Sequence, residues 1–236
     1  MTIEATNALA QEALVVIERE AWRESAATAA LVTSLQEFKD LFPEEVVAPG
    51  EEIGIASLAV LFTDLRSSTA LYQRIGDPRA FAFVQNHFRY LVESVSKHRG
   101  GVVKTMGDAI MASFPSGRDA IEAAVGMQQR WGEFCRAHGE YTDLCLKIGI
   151  HEGPSIAINN EGKLDYFGTT INLAARVQHQ AQGRDVVFTE AVRQDPDVQA
   201  FLKSVDWPCD VLTVPLKGIE GEPTLYQIWP AGKPAD

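Results

Sequence analysis

Leu58-Ala59-Val60-Leu61-Phe62-Thr63-Asp64-Leu65-Arg66-Ser67-Ser68-Thr69 opens the stretch around which the chain is arranged. Gly100-Gly101-Val102-Val103-Lys104-Thr105-Met106-Gly107-Asp108, followed by the apolar run Ala109 to Phe114, closes it. Short apolar runs punctuated by Gly, Ser and Thr read as core strands. Asp64 and Asp108 therefore stand at the edges of two buried strands. A carboxylate at such a half-dry rim needs a partner or a metal. Two of them beside hydroxyl-bearing, glycine-bearing backbone suit hard cations and phosphate oxygens. Each Asp, taken singly, also fits a turn residue or a helix cap.

Working outward, Ser67 or Ser68 is placed to cap a helix running through Ile75, and Gly76-Asp77-Pro78 reads as a turn. Phe81, Val84, Phe88, Leu91 and Val95 form a helical stripe, and Gly107 permits a tight hairpin between the strands 102–105 and 109–114. Ala120, Ala124, Met127, Trp131 and Phe134 stripe a further helix and belong to the core. A fourth strand over Leu144 to His151 is expected to break at Gly153-Pro154. Asp165 then precedes a helix from Thr169 to Gln180, followed by a strand at Val186-Val187-Phe188 and a hairpin from Val211–Leu216 and Thr224–Ile228. This order predicts an α+β fold: a ferredoxin-like βαββαβ core with an extra β-hairpin, its antiparallel sheet carrying helices on one face.

Residues 1–42 lack Gly and Pro, and Leu14, Ile17, Ala21, Thr28, Leu31, Leu35 and Phe38 recur at near-helical spacing. They predict a long helix or helix pair, either packed on its own domain or acting as a coupling and dimerisation segment below an upstream regulatory domain. The expected division is this helical segment over 1–42, a Pro-, Gly- and Glu-rich linker over 43–56, a catalytic domain over 57–230 and a tail over 231–236.

The chain has 236 residues, 46% of them apolar, and a net charge of −11. That charge disfavours nucleic acid, whose phosphates require a basic face. It leaves a nucleotide possible, because metals can screen its charge locally. No apolar run is long enough to span a bilayer and no leader sequence stands out. Cys135, Cys145 and Cys209 form no zinc spacing and no even disulfide set, so reduced thiols and a cytoplasmic location are expected.

Asn172 and Arg176, four apart, share one helix face, and an Arg fork suits a phosphate in transition. Lys104, inside an otherwise apolar strand, either points to water or, if buried, needs an acceptor. Together with Phe62-Thr63-Asp64-Leu65, Lys104-Thr105-Met106-Gly107-Asp108, Asp165-Tyr166-Phe167-Gly168 through Arg176, and Leu216-Lys217-Gly218, these residues resemble the class III nucleotidyl cyclase catalytic domain. The resemblance covers about Leu58 to Trp229, and the four segments are specific jointly and in order. Phe38 to Ile55 is similar to the lead-in of bacterial multidomain members.

The resemblance implies that Asp64, Asp108 and the Leu65 carbonyl bind two divalent cations (Mg²⁺ or Mn²⁺). It implies that the backbone of Leu65, Arg66, Ser67, Ser68 and Thr69 holds a triphosphate, and that Lys104 and Asp165 select the purine. Asn172 would orient the ribose, Arg176 would stabilise the transition state and Lys217 would meet the terminal phosphates. It further implies a homodimer with composite active sites and ATP as substrate. The Lys104–Asp165 pair argues against GTP or a pyrimidine nucleotide. The intact aspartates and Arg176 argue against a non-catalytic nucleotide-sensing module. One departure is Ser67, which stands where many members carry Gly, with the charged Arg66 beside it.

Overall fold

The computed structural model describes residues 27–42, 47, 51–139, 141, 143–219 and 221–233. The part of the expected N-terminal helix over residues 1–26 lies outside the described residues. β1 (Glu52–Arg66) is an interior strand, and its apolar run is buried on both sides. Ala59, Leu61 and Leu65 join one core; Leu58, Val60 and Phe62 join another. Alternating side chains point to opposite faces of a strand. Each fully buried Val or Leu contributes about 1.5–3 kcal/mol, so this one strand anchors both layers.

α3 (Ser68–Ile75) and α4 (Asp77–Ser96) follow, then the hairpin of β2 (Gly101–Met106) and β3 (Ala109–Phe114), then α5 (Gly117–Ala137). Met106 pairs with Ala109, so Gly107 and Asp108 are the two loop residues, and Gly107 takes the φ of 65° that such a tight loop demands. β4 (Cys145–Asn160) pairs with β1 along nearly its whole length, and β5 (Lys163–Phe167) folds back on β4. α6 (Thr169–Gln180), β6 (Val186–Thr189), the short helices α7 (Glu190–Gln194) and α8 (Pro196–Lys203), and the hairpin β7 (Cys209–Thr213)–β8 (Thr224–Ile228) complete the chain. The sheet order is β2-β3-β1-β4-β6-β8-β7, with β5 attached to β4. The β4-β1-β3-β2 portion is the expected ferredoxin-like core. The β4–β6 pair is parallel, so the sheet is mixed and not wholly antiparallel.

Several expectations are corrected. Helices cover both faces: α3, α4, α5, α7 and α8 pack with Leu61, while Ala174 of α6 packs with Val60 and Phe62. A strand apolar on both sides requires this second cover. β4 runs through Gly153-Pro154 because the register slips there: Ile55 faces Ser155 and Leu58 faces Gly153. Ala56 and Ser57 thus oppose Pro154 alone, a bulge that has no use for the N–H proline lacks. β1 begins at Glu52, inside the segment expected as linker. Asp77 and Pro78 belong to the first turn of α4, leaving Gly76 as the bend. The buried stripe of α4 is Ala80, Phe83, His87, Leu91 and Val95; Phe81 is 67% exposed and Phe83 2%.

The described part of the N-terminal segment is a pair of short helices, α1 (Ala29–Ser34) and α2 (Gln36–Leu41), separated by extended Leu35. They lie on the sheet. Ala29 and Ala30 pack with the Val60 core, and the Tyr166 hydroxyl donates to the Thr33 carbonyl at 3.0 Å. Gln36 accepts from the Val102 N–H at 2.8 Å, and Lys39 donates to the Gly101 carbonyl at 3.1 Å. α2 therefore satisfies backbone groups at the start of the edge strand β2. Burial pushes the Lys39 ammonium down to about 7, against the opposing pull of Asp165 and Asp40. No helix among the described residues is long and apolar enough to cross a membrane.

α6 sits directly on β4: a methyl at Gly149 would run into the backbone N and Cα of Gln178. Gly149→Ala is expected to lower stability by about 1–3 kcal/mol through the forced shift of α6. Chemical denaturation measures this, and an unchanged midpoint would contradict the close seating.

Candidate active site

Alternation along β1 puts Asp64 on the same face as Val60 and Phe62. Phe62 pairs with Met111, so the end of β1 lies beside the β2–β3 turn that carries Asp108. The two carboxylates feel each other. Burial first, and then the charge of Asp108, hold the Asp64 carboxyl above its usual range. Lys147, the direct cross-strand partner of Asp64, the Leu65 N–H and His179 pull it the other way. An open cleft of about 590 Å³ is lined by Asp64, Leu65, Arg66, Ser67 and Lys147, with Ala181 and Gln182.

The backbone turns sharply after β1. Ser67 has φ 71°, the left-handed conformation that favours glycine. Ser67 precedes α3 without a side-chain cap, so no side chain of its own answers the first-turn N–H groups. Uncapped N–H groups at a helix start suit an anion. Arg66 turns toward the segment after α6, donating to the Gln182 carbonyl at 3.1 Å. Ser68 is half-buried and Thr69 exposed in the first turn of α3.

Lys104 and Asp165 meet in one chain. The Lys104 Nζ lies 2.9 and 2.7 Å from the two carboxylate oxygens. Lys104 pairs in register with Met111, whose side chain lies in the Val60 core, so this pair is on the same sheet face as Asp64. The Lys104 side chain remains 40% exposed, leaving the pair open to a ligand. Asp165 also accepts the Tyr166 N–H at 2.8 Å and lies within 3.4 Å of Asn160 Nδ2, which fixes its orientation.

α6 buries Thr170, Ala174, Val177 and Gln178, turning Asn172 and Arg176 to the other side. Asn172 is exposed and Arg176 half-buried, and neither bonds to another side chain among the described residues. Lys217 is exposed in the loop between β7 and β8, next to buried Leu216. The chain thus brings together Asp64 with Asp108, Lys104 with Asp165, and Asn172 with Arg176, and it sets Lys217 apart in a loop.

Sequence reasoning missed three neighbours of this site. Tyr72 donates to Asp108 Oδ2 at 3.1 Å, and His87 Nε2 lies 3.1 Å from the Asp108 carbonyl. A carbonyl has no proton to give, so Nε2 is the donor. His87 is wholly buried, and burial pushes it down to about 4, which keeps it neutral. Its signal was a polar residue four positions from both Phe83 and Leu91 on the buried stripe. The third is Lys147, visible only once β1 and β4 are aligned.

Residues 52–228 match the family described as the adenylate and guanylate cyclase catalytic domain. The chain belongs to this family. It is 27% identical over 186 residues to an adenylate cyclase of Anabaena cylindrica, an alignment covering 69% of this chain and 37% of that protein. The chain therefore spans well under half of that relative's length. Its fold is similar to the adenylyl cyclase CyaB from P. aeruginosa, with a TM-score of 0.65 at 19% identity over 75% of this chain and 95% of that one. It is also similar to the guanylate cyclase domain of RhGC from Catenaria anguillulae in complex with GTP. There the TM-score is 0.62 at 16% identity, over 75% and 97% of the two chains.

Two outcomes follow from this geometry. In Asp108→Asn, loss of the like charge lowers the midpoint at which Asp64 titrates, read by carboxyl ¹³C NMR; an unchanged midpoint contradicts the juxtaposition. Ser67→Gly retains or gains stability, whereas Ser67→Val loses about 1–3 kcal/mol at the left-handed position. Equal melting of both variants would contradict the strained turn.

Proposed function

We propose that this domain converts ATP to 3′,5′-cyclic AMP and pyrophosphate at sites shared between two copies of the chain. The observation that carries the choice of ATP is the Lys104–Asp165 pair, which presents a donor beside an acceptor on an accessible face. Adenine offers an acceptor at N1 and a donor at its 6-amino group. Guanine reverses both, leaving the lysine and the aspartate mismatched, and mismatched polar groups discriminate strongly. The adenylate cyclase name of the Anabaena relative is in keeping with this choice.

The donor set at the other cluster suits hard divalent cations: two facing carboxylates and the backbone carbonyl of Leu65. No group of three or more His, Cys, Asp or Glu ligands stands together among the described residues. Cations there would take their remaining ligands from substrate phosphates and water. When bound, such ions acidify the ribose 3′-hydroxyl and screen the triphosphate.

The remaining work is positioning and charge stabilisation by the chain itself. The 3′-oxygen attacks the α-phosphorus as the bond to pyrophosphate breaks. Lys104 and Asp165 hold the base, and Asn172 orients the ribose. The N–H groups of the 65–69 turn hold the phosphates, with Lys147 and Lys217 supplying positive charge. Arg176 offers its fork to the charge that develops at the α-phosphate. The purine-holding groups and Arg176 come from one copy and the aspartates from the other, in keeping with the separate clusters within one chain.

Purified protein with Mg²⁺ or Mn²⁺ is expected to turn over ATP well in excess of GTP, and chelation with EDTA is expected to abolish the activity. Arg176→Ala should lower kcat on the order of 10²–10³-fold, and Lys104→Glu should erode the preference for ATP. Equal turnover of the two purines by the parent protein would overturn the base assignment.

A further inference from the structure

Asp108 is gripped at two points by side chains that play no part in the chemistry above. Tyr72 Oη donates to Oδ2 at 3.1 Å, and the His87 imidazole donates to the backbone carbonyl at 3.1 Å. Both come from helices packed in the core that includes Leu61: Tyr72 lies on α3 against it, and His87 on α4 is 0% exposed. His87 is wedged among aromatic rings, with centroids at 6.3 Å from Phe83, 5.8 Å from Phe88 and 5.6 Å from Trp131. A hydrogen bond to one carboxylate oxygen fixes the rotation of the group and leaves its other lone pairs free. Asp108 sits in a two-residue hairpin loop, where backbone pairing alone does not set the side-chain torsions.

We propose that Tyr72 is a positioning residue for the Asp108 carboxylate, holding it in the orientation that accepts a divalent cation. This rests on the reading of Asp108 as a cation ligand. Tyr72 is itself part of α3, one turn beyond Ser68 at the start of that helix. One phenol therefore ties the helix that follows the uncapped turn to the carboxylate on the neighbouring hairpin. Cation and anion subsites are thereby held in a fixed relation, with the His87 contact holding the loop backbone below. Groups that orient a metal ligand in this way typically account for about 10–100-fold in metal affinity.

The test is calorimetric titration of the full chain with Mn²⁺ alone, in the parent and in Tyr72→Phe, Tyr72→Leu and Asp108→Asn, with melting temperatures recorded beside it. Phe keeps the ring and removes only the hydroxyl; Leu removes both. Tyr72→Phe and Tyr72→Leu should each weaken Mn²⁺ binding about 10-fold or more, with Tyr72→Phe melting close to the parent. Parent-like Mn²⁺ affinity in Tyr72→Phe, with Asp108→Asn weakened, overturns the role of the tyrosine while leaving the cation site intact. Parent-like affinity in Asp108→Asn overturns the cation assignment itself, and the role built upon it.

Discussion

Two carboxylates held close enough for the charge of one to act on the other, one of them partly withdrawn from water, repel. That is the situation of Asp64 and Asp108, and the fold is built so that it cannot relax. Asp64 lies near the end of a strand buried on both faces. Asp108 lies in the tight turn of a hairpin whose register against that strand is fixed from Ala59–Phe114 to Phe62–Met111. Separating the two would mean breaking strand pairs or unpacking core side chains. The proton-holding tendency of Asp64 is the cost of this arrangement.

The same strand has a second consequence. Because β1 is apolar on both sides, helices must cover both faces, and on the second face only part of the cover is local. α6 lies there, brought close by Gly149, and it presents Asn172 and Arg176 on its outer side. α1 and α2 lie there as well, against the Val60 core and the edge of β2. Lys39 reaches beneath Tyr166, within the field of Asp165 and so of the pair with Lys104. The N-terminal helices therefore touch Tyr166, the neighbour of Asp165, and a displacement of α2 would alter the charge around the Lys104–Asp165 pair.

Much of this was legible before any coordinates. The run 58–62, the hairpin around Gly107 and the helix 169–180 follow from apolar spacing and turn chemistry, and the pairing of Lys104 with Asp165 from the family resemblance alone. What was not legible depends on three-dimensional neighbours. On α4 the expected Leu91 and Val95 are buried and Val84 and Phe88 pack against the core, but the start of the stripe differs, because Phe81 is apolar yet exposed and His87 is polar yet buried. Pro154 looked like a strand break, because a bulge on β1 is invisible from the sequence of β4 alone. The second helical layer was missed because a continuous apolar run tells how deeply a strand is buried but not by what. Ser67 was noted only as a departure; its left-handed backbone explains why that position is demanding.

The central claim is that two copies of the chain contribute different halves of each site, and mixing tests it most directly. Asp64→Ala and Arg176→Ala should each be nearly inactive alone. Once chain exchange is established by native mass spectrometry, their equimolar mixture should regain roughly a quarter of the parent's activity, since half the dimers would each carry one intact site. A mixture that forms heterodimers yet shows no more cyclic nucleotide production than the separate variants would contradict the account.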